Sequence, residues 1–112
     1  MEGRVSERNY MEGRVSERNY IDRVALAIAR ACDDTDADPD LSLYRIYAVL
    51  ALTLGPATSN KAGHDAWSAW QAARKPDHRS LIPFDELSVA VQELDTPYRD
   101  AIIHVAQELA CA

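Results

Sequence analysis

The chain is sparing with the residues that build specialised chemistry. Its two cysteines, Cys32 and Cys111, stand far apart and share no CxxC spacing, which excludes a thiolate metal motif and a paired redox centre. Two isolated thiols fit a reducing compartment, so the expected location is the cytoplasm; a bridge between them is the alternative. Glycine is scarce. After residue 13 only Gly55 and Gly63 occur, so no glycine-rich loop can wrap a phosphate, and no GxSxG turn raises a serine nucleophile. The three histidines, His64, His78 and His104, lack the paired spacing of zinc ligands. His104 and Glu108 lie four residues apart on one helix face, alone a weak metal signal, so neither a metal nor a cofactor is expected.

Long apolar runs are missing as well. The longest, residues 46–55, follows Arg45 and ends in Gly-Pro, far short of the roughly 18 residues that a membrane span requires. The chain opens on charged residues without the basic-then-apolar order of a secretory leader, and no membrane association is expected. Basic charge is the minority: 12 Lys and Arg stand against 18 Asp and Glu, for a net charge of −6. Scattered cations on an acidic chain cannot neutralise a row of phosphates, so nucleic acid is excluded as a partner, whereas a basic protein would be attracted.

What is present is a hydrophobic content of 47% over 112 residues, enough for one domain with its own core. Residues 1–10 recur unchanged as 11–20, too short a unit for a repeat architecture. They read as a duplicated start arising in cloning or gene prediction, with residues 11–112 as the domain. Asp34, Asp36, Asp38 and Asp40 alternate as in a calcium loop. Counted from Asp34, however, Pro39 takes the position that needs glycine and Arg45 the one that needs a bidentate glutamate. The stretch is therefore read as a solvated acidic turn.

The periodicity is helical throughout. Ser16 is the expected cap of a first helix to about Cys32, with Ile21, Val24, Ala25, Ile28, Ala31 and Cys32 on one stripe. Asp40 is expected to cap a second helix over 41–54, with Gly55 as its left-handed stop. Its apolar residues cover most of the circumference, which predicts the buried centre of a bundle. Thr58 or Ser59 opens a third helix to about Arg74, with Ala62, Ala66, Ala69 and Ala73 as a stripe for close approach. Trp67 and Trp70 lie beside that stripe, His64 and Gln71 border them, and Asp65 and Ser68 point away. An extended connector over 76–87, shaped by Pro83, leads to a short helix over 88–94. A last helix is capped by Thr96, with a core face of Tyr98, Ala101, Ile102, Val105, Ala106 and Leu109. The expected fold is all-α: a compact bundle of four main helices plus one short one, with the connector laid across it.

His64-Asp65-Ala66-Trp67, then His78-Arg79-Ser80-Leu81-Ile82-Pro83-Phe84-Asp85-Glu86-Leu87, then Asp95 before the last helix, make a distinctive order. The segment 64–100 resembles the ryanodine-receptor repeat domain, with its His-x-x-Trp helix and its His-Pro-x-Leu-Val-Pro-Tyr-x-x-Leu segment. It is also similar to short uncharacterised proteins of actinobacteria and their phages. The pattern departs in that only ten residues separate Trp67 from His78, where the repeat carries a longer insert, and Arg79 replaces proline. The resemblance implies a non-catalytic module, its bacterial members having been suggested as ligand sensors.

His64, Trp67, Trp70, His78 and Phe84 are thus the candidate binding residues. Each also has a bland reading. The indoles then grip residues 81–84 as core, and the imidazoles fix the connector by hydrogen bonds. In the functional reading one indole, with Phe84 or Tyr98, lines a groove for a protein or small-molecule ligand. Arg45, alone on an apolar helix, is expected to pair with an Asp or Glu, with Asp95 and Glu93 as candidates, and an anion site is the alternative. The alternative function is an acidic structural or antagonist protein that meets a basic partner through its Asp-rich loop. An exposed apolar patch would also leave room for a homodimer.

Overall fold

The computed structural model describes residues 19–111, and within them the fold is all-α with no strand. Helix α1 is Tyr20–Ala31, α2 Ser42–Thr53, α3 Asn60–Arg74, the short α4 Val89–Gln92 and α5 Thr96–Cys111. Ser16 lies outside the described residues. The cap of α1 is Asn19, whose Oδ1 accepts from the Asp22 N–H at 2.8 Å. Val24, Ala25, Ile28 and Ala29 form the buried face of α1, while Ala31 is exposed. Asp33 ends the helix in the left-handed region (φ +63°). The Asp33 N–H then donates to Arg30 O and the Asp34 N–H to Ala29 O, both at 3.0 Å, closing a Schellman turn.

The acidic loop that follows is occupied with its own backbone. Asp34 Oδ1 accepts from the Asp36 N–H and Asp36 Oδ1 from the Asp38 N–H, each at 3.1 Å. Arg30 Nη1 reaches over to the carbonyls of Asp34 and Asp36 at 2.7 and 2.8 Å. Asp40 Oδ1 accepts from the Ser42 N–H at 2.9 Å, yet the N-cap position itself falls one residue later, on Leu41. Among the described residues, no group of three or more His, Cys, Asp or Glu is placed to hold a metal ion.

Helix α2 packs against α1, α3 and α5. Three neighbours do not enclose it. Tyr47, Ala48 and Ala51 are buried, but Val49, Leu52 and Leu54 remain about half exposed on the open side. The expected all-round burial therefore fails, since among the described residues no further helix covers that side. Gly55 provides the left-handed stop (φ +56°), as the Gly-Pro pair indicates. The centre is built largely from alanines that let helices approach, filled by Tyr47, Ile28 and Ile102, the largest fully buried side chains. Tyr98 and Leu109, expected in the core, lie at its two ends and stay partly exposed.

Ser59 caps α3, accepting from the Ala62 N–H at 3.1 Å. Within its alanine stripe only Ala66 is buried, while Ala69 and Ala73 are exposed. Ser68 does not point away: its Oγ lies 3.4 Å from His64 Nε2. The connector is a chain of tight turns where an extended run was expected. The His78 N–H donates to Lys75 O, the Leu81 N–H donates to His78 O, and a 3₁₀ turn spans Phe84–Glu86. Ser88 caps α4, a 3₁₀ turn covers Glu93–Asp95, and the chain runs on into α5. Thr96 is itself helical (φ −56°, ψ −46°) and so is not the cap; its hydroxyl accepts from Asn60 Nδ2 at 3.1 Å.

Arg45 pairs with Asp22 of α1 through Nε–Oδ1 at 2.7 Å, and not with Asp95 or Glu93, which belong to another side of the bundle. The guanidinium is half exposed, so the pair contributes little, on the order of 1 kcal/mol or less. Ile102→Ala is expected to cost about 2–5 kcal/mol in urea unfolding, through lost transfer energy and the cavity left behind. Arg45→Ala should stay within about 1 kcal/mol of wild type. Equal losses in the two variants would place the stabilising contacts elsewhere than in the apolar centre.

Candidate functional site

The turns after α3 fold back along that helix, and a buried histidine holds them there. His64 is 3% exposed, and its Nε2 donates to the Ile82 carbonyl at 2.8 Å, eighteen residues along the chain. A carbonyl only accepts, so this nitrogen carries a proton. His78 sits at the other end of the turn, its Nδ1 accepting from the Ser80 N–H at 3.0 Å. The Trp67 ring lies between the two imidazoles. It is stacked on His64 at 5.7 Å between centroids and meets His78 edge-on at 5.1 Å. Gln92 of α4 closes the far side, donating to the Phe84 and Leu87 carbonyls at 2.9 and 3.3 Å.

These restraints leave a cleft of about 310 Å³ between α2, α3, the connector and the approach to α5. Leu43 and Tyr47 line it from α2, His64 and Trp67 from α3, and His78 and Ser80 from the connector. Val91, Leu94, Asp95 and Tyr98 complete the wall. Tyr47 and Tyr98 face each other, tilted, at 5.7 Å. The volume falls at the lower end of small-molecule sites, and the wall has their usual character of apolar surface with a few polar groups.

The proposed site residues therefore divide. His64, Trp67 and His78 come together on the cleft. Phe84 lies behind His64 at 6.1 Å between rings and does not reach the wall. Trp70 turns to another neighbour: its Nε1 donates to Ser42 Oγ at 2.9 Å, and the Arg74 guanidinium lies 4.2 Å from its ring centre. An offset of three residues rotates a helical side chain by about 60°, enough to send the two indoles to different partners. Leu43, Ser80, Val91 and Leu94 gave no signal in the sequence, since a pocket wall made of isolated residues from five elements has no spacing to read. Asp95 had only its place before the last helix, and Tyr47 looked like ordinary core.

Among the described residues Asp95 is the one carboxylate on the wall. It is half-buried, and among the described residues no hydrogen-bond donor meets its side chain. Burial pushes its pKa above the ordinary carboxyl value, partly offset by the charge of nearby His64. The Tyr47 hydroxyl is driven upward by burial first and by Asp95 second, so the phenol keeps its proton. Away from the cleft, burial together with Asp33 and Asp34 raises the Cys32 thiol, the reverse of what a reactive thiolate needs. The Ser68–His64 contact is not a nucleophile and its base, because the nitrogen nearest Ser68 already donates to Ile82 O.

An all-helical domain with a small aromatic cleft is thus the class of protein that fold and site define. Its residues 19–107 match the family described as a domain of unknown function, DUF7701, and the chain belongs to that family. No curated protein and no solved structure matches it.

A carboxyl whose pKa is raised by folding binds its proton more tightly when folded. The stability it allows is complete below its unfolded pKa and is lost as pH rises through the folded value. Asp95→Asn, which never ionises, is expected to melt higher than wild type at pH 7, the gap closing below about pH 4. Thermal melts of both proteins from pH 3 to 8 check this. A wild type that is the more stable at pH 7 would mean that the carboxylate has a stabilising partner.

Proposed function

We propose that the protein is a non-catalytic binding module that seats a small organic ligand in the cleft beside Trp67. The observation that carries this reading is the cleft itself, aromatic on two sides and framed by hydrogen bonds that join separate segments, His64 to Ile82 and Gln92 to Phe84. A site already formed costs a ligand little ordering entropy. The positions of Ser68 and His64 support a non-catalytic role, since no free base faces a nucleophile there. A relation to ryanodine-receptor repeats, resting on the His64-to-Leu87 pattern, belongs to the same reading, as does an origin among actinobacteria or their phages. The cytoplasm is the proposed location, supported by two free thiols. Among the described residues no helix is long and apolar enough to cross a membrane. The acidic loop supports the antagonist alternative less well, because Asp34 and Asp36 each spend an oxygen on their own turn.

Leu43 forms part of the wall, and Leu43→Trp would fill the space. Both proteins, purified from cells and heat-denatured, would be compared by mass spectrometry of the small molecules released. A compound recovered with wild type at stoichiometric level and lost with Leu43→Trp is the expected result. Equal recovery from both proteins, or no compound from either, would overturn the reading.

A further inference from the structure

Every candidate occupant of the cleft must come to terms with Asp95. Its carboxylate is part of a wall otherwise made of Leu43, Val91, Leu94, aromatic rings and Ser80. A carboxylate drawn partly out of water beside apolar surface is costly unless something is paired with it. The groups around it offer no strong partner. From α2 there is Tyr47, from α3 His64, from the connector His78 and Ser80, and from α5 Tyr98; among the described residues no lysine or arginine lines the cleft. His64 is close enough for its charge to be felt, but no hydrogen bond joins the two, and its Nε2 is committed to Ile82 O.

An anionic ligand would meet this carboxylate with only His64 nearby to offset it and no lysine or arginine among the described lining residues, on a chain of net charge −6. A neutral apolar ligand would strip the remaining water from it and leave it unpaired. A cation removes the cost in both respects. It supplies the missing donor, and the rings of Trp67 and Tyr98, which keep some exposure on the wall, attract positive charge through their quadrupoles. The same helix already shows the contact three residues on, where the Arg74 guanidinium lies over Trp70.

Resting on the cleft being the binding site, we infer that its ligand is an organic monocation. An ammonium or guanidinium head meets Asp95, and an aromatic or branched apolar body lies among Trp67, Tyr98 and Leu43. The head belongs either to a free amine or to a basic side chain offered by another protein.

Titration calorimetry with four probes tests this: phenethylamine, 2-phenylethanol, 3-phenylpropionate and Nα-acetyl-lysine amide. In wild type, phenethylamine is expected to bind at least about tenfold tighter than the alcohol, as a charge-assisted contact does, and the carboxylate weaker still. Asp95→Asn should remove that preference and leave the alcohol unchanged, with circular dichroism showing the helices intact. Leu43→Trp should abolish binding of every probe. A lysine derivative that binds tighter than phenethylamine supports the inference and moves the source to a partner's side chain. An amine that binds no tighter than the alcohol, including the case where neither binds, overturns it, as does a preference that survives Asp95→Asn. Equal binding of amine and alcohol, both lost in Leu43→Trp, keeps the cleft as the site and removes the cation alone.

Discussion

The imidazole of His64 sits inside the protein, and a histidine in that position must find partners for its nitrogens or leave a polar group stranded. It finds one in the Ile82 carbonyl, on a segment without helical hydrogen bonds to hold it in place. That contact draws the turns after α3 back along the helix that carries Trp67. Without it the connector would be fixed by its short local turns, by Gln92 and by the ring contacts of His78 and Phe84 with α3, none of which holds Ile82 itself. The cleft has no wall on that side unless the connector lies there. The hydrogen bond thus defines the site, although it takes no part in lining it with chemistry of its own.

Around this clasp the division of labour follows from packing. Helices α1, α2 and α5 bring Ile28, Tyr47 and Ile102 together and bury a stack of alanines between their backbones. Alanine gives close approach but little volume, so the larger buried side chains supply much of the apolar area. Tyr47 serves both regions. Its ring is sealed in the centre at 1% exposure, yet it also borders the cleft and faces Tyr98. The rigid core therefore reaches the floor of the site directly, with no flexible element between them.

Much of this could be read along the chain, and what could not shares one cause. The cap at Ser59, expected there or at Thr58, and the stop at Gly55 depend on neighbours within three or four residues, and the sequence announces them. So does the helical class, because apolar spacing is repeated in every long segment. Ring-bearing His64, Trp67 and His78 were legible as a group through their motif. Failures begin where the answer depends on residues far away. Arg45 finds Asp22 twenty-three positions back, and α2 stays open because, among the described residues, no further helix covers Val49 and Leu52. Thr96 loses its capping role because the preceding 3₁₀ turn leads straight into α5, a continuity that no local signal records.

That continuity also explains why Asp95 stands where it does. A conventional cap at Thr96 would let the chain change direction before the helix and would leave an aspartate one residue earlier free to turn toward solvent. Because Glu93–Asp95 and α5 form one uninterrupted rod, the direction of Asp95 is set by the packing of Ala101, Ile102, Val105 and Ala106 further along. Those residues fix the rotation of α5 against α1 and α2, and the rotation keeps the carboxylate in the wall beside Tyr98. The unfavourable placement of one charge is thus maintained by favourable burial elsewhere on the same helix. Folding tolerates it because the apolar contacts outweigh a half-buried carboxylate, and the cleft retains a charge that a ligand of opposite sign can use.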